Sequence, residues 1–242
     1  MIDLSTIKFA FVTILAIALS ASYENNSLAS PILKSKLFSL QKIAALPPAP
    51  DRGTPDGQRT PGGTRTPDGK VDGKIGACKP TDKLLTALVP ENGNGLTTVE
   101  HPVLWFYIPY APEDVHAIEF SLHDWEETTT LYRIPLQLTK TPGIFSISLP
   151  PNPEKALKLN EPYHWYFKVN CDPQEKPENE IVLDGWVTRV QPNINQTTWY
   201  DRLTDLAKRL FSNPKNSQIK KDWEEFLKSV GLEGLAQAPI AK

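Results

Sequence analysis

The clearest strand pattern in the chain is LNEPYHWYFKV, residues 159–169. Within it, Tyr163, Trp165, Phe167 and Val169 alternate with other residue types. This period of two is typical of a β-strand that buries one face. The Leu and Pro before the alternation place a corner in front of the strand, and the Tyr hydroxyl can bond back to that corner.

The same period of two recurs from Cys78 to Gln191. It appears near residues 84–89, 96–100, 103–108, 118–122, 130–138, 145–149 and 181–190. Turn residues, such as NGNG at 92–95 and PPNP at 150–153, separate these segments. The pattern predicts a mainly β fold, an antiparallel β-sandwich over residues 78–192. The corner before residue 163 favours an immunoglobulin- or fibronectin-like sandwich.

Two apolar stripes with helical spacing fill the C-terminal segment, residues 193–242. They consist of Trp199, Leu203, Leu206 and Leu210, followed by Ile219, Trp223, Phe226, Leu227 and Val230. Asn213-Pro214 separates them and Gly231 can cap the second, so the pattern predicts an αα-hairpin. Because such short helices are marginal alone, we expect the hairpin to pack on the sandwich, over an outer face around Tyr166 and Trp186.

The N-terminus has the order of a secretory signal peptide, residues 1–29. An 11-residue apolar run, Phe9–Leu19, is followed by small residues. A run of this length is too short for a transmembrane helix, which needs about 20 residues. Processing could follow Ser20, Ser22 or Ala29, and the alternative is a buried N-terminal helix. We therefore expect a secreted or periplasmic protein without stable membrane insertion after processing.

Cys78 and Cys171 are the two cysteines of the chain. Export would expose them to an oxidising compartment, and neither has a second cysteine or a histidine at the spacing of a zinc site. The pair therefore predicts a disulfide. It would close a loop of 93 residues (171 − 78), which is worth roughly 4–5 kcal/mol in the chain-entropy model.

Residues 30–77 form a linker rich in Pro and Gly, with a hexapeptide repeat of the type TPxGxR. The three copies are TPDGQR at 54–59, TPGGTR at 60–65 and TPDGKV at 66–71. The repeat carries almost no apolar side chain and cannot build a core of its own. It favours a semi-rigid spacer, and the alternative is a peptide docked on the following domain or on a partner.

Charge and motifs restrict the classes of function. The 242 residues hold 26 Lys and Arg against 28 Asp and Glu, a net charge of −2, which argues against nucleic acid or an anionic membrane as the main partner. No metalloprotease, nucleophile-elbow, phosphate-loop or dinucleotide motif occurs. The sequence thus supplies no catalytic, cofactor-binding or metal-ligating residue, although a serine triad assembled from dispersed residues would leave no motif.

A candidate ligand surface consists of Asp124, Trp125, Glu126, Tyr166 and Trp186. Acidic and aromatic side chains of this kind can hold a cation or stack on a sugar. The alternatives are a solvated hairpin loop for the acidic turn and a covering helical hairpin for the aromatic residues.

Several segments resemble one known family. They are FSLHD at 120–124, PGIFSISLP at 142–150, YHWYFKVNC at 163–171, DGWVTRV at 184–190 and WEEFLKSVGL at 223–232. They are similar to the cyanobacterial family called Domain of Unknown Function 928, over about residues 52–239. The resemblance implies a secreted or periplasmic cyanobacterial protein and supplies no activity.

These observations together predict a function class rather than a reaction. We expect an exported, non-catalytic binding or scaffolding module whose partner is a protein or a cell-envelope glycan. The alternatives are a carbohydrate-binding module and a cell-wall or glycan-directed enzyme.

Overall fold

Eight β-strands and two α-helices form the part of the chain that the computed structural model describes, residues 57–61, 77–174, 176–193 and 196–241. The predicted signal peptide and most of the linker lie outside these residues. The strands are β1 Thr86–Ala87, β2 Asn94–Thr97, β3 Val103–Ile108, β4 Ala117–His123, β5 Thr130–Leu136, β6 Gly143–Ser148, β7 Pro162–Asn170 and β8 Ile181–Arg189. The prediction of a mainly β fold is confirmed.

The strands form two sheets. One has the order β1-β3-β6 and is antiparallel, and the other has the order β2-β8-β7-β4-β5. In the larger sheet β2 runs parallel to β8, with Asn94 opposite Trp186, whereas the other pairs are antiparallel. The wholly antiparallel prediction is therefore wrong at one edge. The turn at Gly93, which has a φ of 73°, separates β1 in the smaller sheet from β2 in the larger one.

Aromatic side chains from both sheets meet in one core. Phe106 of β3 stacks on Phe167 of β7 with ring centroids 4.2 Å apart, and its ring lies edge-on to Trp165 at 5.5 Å. Tyr163 and Val169 are also buried, as the alternation predicted. Each of these side chains contributes roughly 1.5–3 kcal/mol through burial, and β7 is the middle strand of the five-stranded sheet.

The C-terminal segment forms the predicted αα-hairpin, with α1 at Trp199–Ser212 and α2 at Ser217–Lys228. The Asn216 side chain accepts hydrogen bonds from two backbone N–H groups in the first turn of α2. Beyond α2, Gly231 adopts a φ of 71° and the N–H of Leu232 donates to the carbonyl of Leu227 at 2.9 Å, as in a Schellman motif. No helix among the described residues is long and apolar enough to cross a membrane.

The hairpin packs on the core side of the five-stranded sheet. The indole of Trp199 donates to the carbonyl of Leu88 at 3.0 Å, and that of Trp165 donates to the hydroxyl of Tyr200 at 3.1 Å. Because neighbouring residues of a strand face opposite ways, a helix in contact with Trp165 lies on the side away from Tyr166. The prediction that the hairpin covers the outer face around Tyr166 and Trp186 is therefore wrong.

Two glycines explain this placement. A Cβ atom at Gly95 would lie 2.4 Å from the ring of Tyr200, and one at Gly185 would lie 2.3 Å from the ring of Trp165. The missing side chains thus leave the space that the two aromatic rings fill.

The predicted disulfide is present. Cys78 and Cys171 are bonded, with Cα atoms 4.9 Å apart and a sequence separation of 93. The bond ties the chain before β1 to the end of β7.

Candidate functional site

Polar and aromatic side chains occupy the outer face of β7 and β8. In the register of this pair, His164 lies opposite Trp186 and Tyr166 lies opposite Asp184. All four point away from the core because Trp165 and its alternating neighbours point into it. Together with Glu127 from the β4–β5 loop they form what we call the His164 cluster.

His164 lies between two carboxylates. Its Nδ1 is 2.5 Å from Oε1 of Glu127 and its Nε2 is 3.0 Å from Oδ2 of Asp184. Burial alone would lower the pKa of His164, but the hydrogen bonds to Asp184 and Glu127 outweigh it and raise the pKa above its usual value. When the ring is protonated, both ring nitrogens donate and the ring bridges the two acidic groups.

Glu127 attaches the β4–β5 loop to β7. Its backbone is left-handed, with a φ of 55°, and its carboxylate also accepts from the hydroxyl of Tyr166 at 2.9 Å. The hydrogen bond from His164 lowers the pKa of Glu127. Burial, and then the hydrogen bond to Glu127, raises the pKa of Tyr166. A left-handed conformation is uncommon for a residue other than glycine, and these contacts offset its cost.

A stack of rings continues from this cluster to the surface. The rings of His164 and Trp186 are nearly parallel, with centroids 4.1 Å apart, and Trp125 lies 5.0 Å from Trp186. Trp186 is 5% exposed, whereas Trp125 is 39% exposed. The indole N–H of Trp186 has no hydrogen-bond partner in the described part of the chain, so this face retains an unused buried donor. Trp125 is thus an exposed ring on a buried aromatic support.

An open groove of about 580 Å³ lies beside Trp125, and we call it the acidic groove. It is lined by residues of two chain segments: Asp124, Trp125, Glu126, Thr129 and Leu131 from the first, and Glu154, Ala156, Lys158, Glu161, Pro162 and Tyr163 from the second. Four of these side chains are carboxylates and one is an ammonium group. The groove is therefore concave, partly aromatic and negatively charged.

The loop side of the groove is held by its own hydrogen bonds. Asp124 accepts from the hydroxyl of Thr128 at 2.8 Å and from the backbone N–H of Thr129 at 3.1 Å. The backbone hydrogen bond from Thr129 is the main reason that the pKa of Asp124 is lowered. Both carboxylate oxygens of Asp124 accept hydrogen bonds within the turn, whereas Glu126 is exposed at the groove.

The five candidate residues from the sequence lie in one connected region. Asp124, Trp125 and Glu126 line the acidic groove, Trp186 supports Trp125, and Tyr166 lies on the far side of the His164 ring. Sequence reasoning missed the members that join them: His164, Glu127, Asp184 and the groove residues at 154–163. Their signal is weak, because they come from separate segments and none belongs to a motif.

An enzyme pocket and a metal site are two other arrangements that can be compared with the site. Clustering of His123, Glu126 and Glu127 in one pocket would favour an enzyme, but only Glu126 lines the acidic groove. Within the described residues, no group of three or more metal-ligating side chains could hold an ion.

Comparison with known proteins identifies a family but no activity, so a functional proposal has to start from the fold and the site. Neither the curated proteins nor the solved structures contain a match to the chain. One family model matches residues 60–198 and 193–240, which span most of the chain. The description of that family states no activity. The chain therefore belongs to the family described as Domain of Unknown Function (DUF928).

Proposed function

We propose that this protein is a non-catalytic binding module, that the acidic groove is its ligand site, and that its ligand is a basic segment of a partner protein. The observation that carries the proposal is Trp125, which is 39% exposed while its ring is supported by the buried ring of Trp186. A ring held in this way loses little conformational freedom on binding, and its face attracts cations.

The charges of the groove favour a cationic ligand. Its lining has four carboxylates against the ammonium group of Lys158, which itself lies 3.6 Å from Glu161. A Lys or Arg side chain of a partner could stack on Trp125 and pair with Glu126 or Glu154.

A carbohydrate ligand is the second candidate, because carboxylates accept hydrogen bonds from sugar hydroxyls and an exposed ring stacks on a sugar face. Trp125 is, however, the one exposed tryptophan in the described part of the chain. A single ring with this much negative charge suits a basic peptide better than an extended glycan.

The pKa directions of two carboxylates near Trp125 suit recognition of a cation. A general acid needs a carboxyl group with a raised pKa. Asp124 and Glu127 have lowered pKa values, because each accepts hydrogen bonds from neighbouring groups. A lowered pKa keeps these two carboxylates ionised, which suits recognition of a cationic ligand.

The test is titration calorimetry of the purified protein with an oligo-lysine peptide and, separately, with soluble peptidoglycan fragments. We expect oligo-lysine binding that weakens with added salt. Trp125→Ala should weaken it about tenfold, since a cation on an aromatic face contributes up to about 2 kcal/mol. Glu126→Gln should also weaken it, whereas the exposed Glu233→Gln serves as the charge control. If neither probe binds, the proposal is overturned. If the peptidoglycan fragments bind and their binding requires Trp125, the carbohydrate hypothesis replaces it.

We also propose that the protein is exported to the periplasm or secreted, with residues 1–29 as its signal peptide. The Cys78–Cys171 disulfide supports this location, because such bonds form and persist in oxidising compartments. The cyanobacterial source implied by the resemblance belongs to the same proposal. N-terminal sequencing of the native protein should find a start between Ala21 and Ser30, and an intact Met1 would contradict export.

For the fold, we infer an immunoglobulin-like sandwich. The orders β1-β3-β6 and β5-β4-β7-β8 match the A-B-E and C′-C-F-G arrangements of that fold. The backbone N–H of Lys158 donates to the hydroxyl of Tyr163 at 3.1 Å, as in a tyrosine corner. A solved structure with these strands packed as two aligned sheets would test the inference.

A further inference from the structure

Part of the first linker repeat lies against the folded domain. The N–H of Gly57 donates to the carbonyl of Asn92 at 2.9 Å, and the carbonyl of Gln58 accepts from the N–H of Asp184 at 3.1 Å. The carbonyl of Arg59 accepts from the N–H of Ala87 at 2.8 Å. This is the docked arrangement that the sequence left as the alternative to a spacer. We call the surface that holds residues 57–61 the repeat site.

The repeat site selects side chains at three positions. A Cβ atom at Gly57 would lie 2.6 Å from backbone atoms of Asp184 and Gly185, so only glycine fits there. The guanidinium of Arg59 donates to the carbonyl of Val230 at 2.8 Å and to that of Val89 at 3.3 Å. Pro61 is buried.

The position between glycine and arginine is not selected, because the Gln58 side chain is exposed and its contacts are made by the backbone. The contacts therefore specify the pattern Gly-X-Arg-X-Pro.

The linker contains a second segment with this pattern. Residues 57–61 are Gly-Gln-Arg-Thr-Pro and residues 63–67 are Gly-Thr-Arg-Thr-Pro, which differ only at the unselected position. The third repeat lacks the arginine, since Gly69 is followed by Lys70 and Val71. We propose that the repeat site is a binding site for the peptide Gly-X-Arg-Thr-Pro, and that residues 63–67 are its second occupant, in exchange with residues 57–61.

The chain is long enough for this exchange. The N–H of Ala77 donates to the carbonyl of Asn179, and Asp184 follows five residues later along the chain, at most about 17 Å away. In the shifted register Gly63 takes the place of Gly57 beside Asp184, and the 14 Cα–Cα steps from Gly63 to Ala77 (77 − 63) can span up to about 46 Å. The linker can thus shift by one repeat while its C-terminal end stays in place.

The test is hydrogen exchange at Ala87 and Asp184 in the full chain, because the amides of both residues donate to the bound repeat. We expect Arg65→Ala to leave their protection unchanged and Arg59→Ala to lower it less than about threefold, because residues 63–67 replace the lost copy. The double variant should lower protection at least about tenfold. Gly57→Val and Gly63→Val, alone and together, should repeat the pattern by steric exclusion.

Arg52→Ala is the control, since this arginine lies outside both copies of the peptide. Should Arg59→Ala lower protection as much as the double variant does, residues 63–67 do not bind and the exchange is overturned. Should the double variants retain full protection, the site does not recognise the peptide at all. Circular dichroism and cooperative unfolding of each variant show that the domain itself is folded. Oligo-lysine binding at the acidic groove is measured separately, so failure of one proposal leaves the other standing.

Discussion

Replacing Tyr200 by Phe tests on which side of the five-stranded sheet the hairpin packs. The side chain is 1% exposed, and its hydroxyl accepts from the indole of Trp165 at 3.1 Å and donates to the carbonyl of Trp186 at 3.2 Å. Phe keeps the ring but leaves a buried donor unpaired, which costs about 1–3 kcal/mol. We expect the free energy of unfolding to fall by about 2 kcal/mol and the thermal midpoint by about 4–8 °C.

The assay is equilibrium urea unfolding followed by tryptophan fluorescence, with an unchanged dependence of the free energy on urea. Trp165→Phe completes a double-mutant cycle, because it removes the same hydrogen bond from the other side. We expect a coupling energy of about 1 kcal/mol between the two substitutions. A change below about 0.5 kcal/mol in Tyr200→Phe is what a surface position gives, and it would refute the packing of α1 against Trp165.

Two further predictions concern the disulfide and the pH dependence. Thiol counting on denatured, unreduced protein should find no free thiol at Cys78 and Cys171, and two titratable thiols would contradict the disulfide. Reduction should lower the free energy of unfolding by about 4 kcal/mol without abolishing the fold. The raised pKa of His164 gives stability that is present below about pH 6.5 and is lost as the pH rises through the pKa of the folded state. The lowered pKa of Glu127 gives stability that is present above about pH 4.5 and is lost as the pH falls through the pKa of the folded state. The free energy of unfolding of the wild type should therefore exceed that of His164→Gln most clearly between about pH 4.5 and 6.5. Urea unfolding across that range measures the difference, and a difference that does not depend on pH would refute the ion pairing.

Local periodicity was enough to predict the strands and helices, but not which of them pair or pack together. The alternation at 163–169 and the stripes in α1 and α2 are properties of single segments, and the structure confirms them. The parallel pairing of β2 with β8 and the side chosen by the hairpin depend on contacts between distant segments. Gly95 and Gly185 carry that information only as missing side chains, which a periodicity pattern does not register.

The candidate site shows the same division. Trp125 and Glu126 could be proposed from the sequence because a tryptophan and carboxylates stand together in one turn between two strands. The role of Glu127 could not, because its left-handed backbone occurs without a glycine and turns its carboxylate toward His164 only in the folded chain. Asp184 is one more acidic residue in a strand until the register of β7 and β8 places it opposite Tyr166, where its carboxylate lies 3.0 Å from Nε2 of His164.

Asp184 has two carboxylate oxygens, and each serves a different part of the molecule. Oδ2 faces Nε2 of His164, while Oδ1 accepts from the backbone N–H of Gln58 at 3.2 Å. One side chain thus contributes both to the ion pair that attaches the Trp125 loop and to the contact with the linker. On the two proposals above, a ligand that tightened the loop around His164 would change the affinity for the linker peptide. Thermodynamic linkage makes such an influence reciprocal, so the linker peptide would change the affinity for that ligand by the same factor.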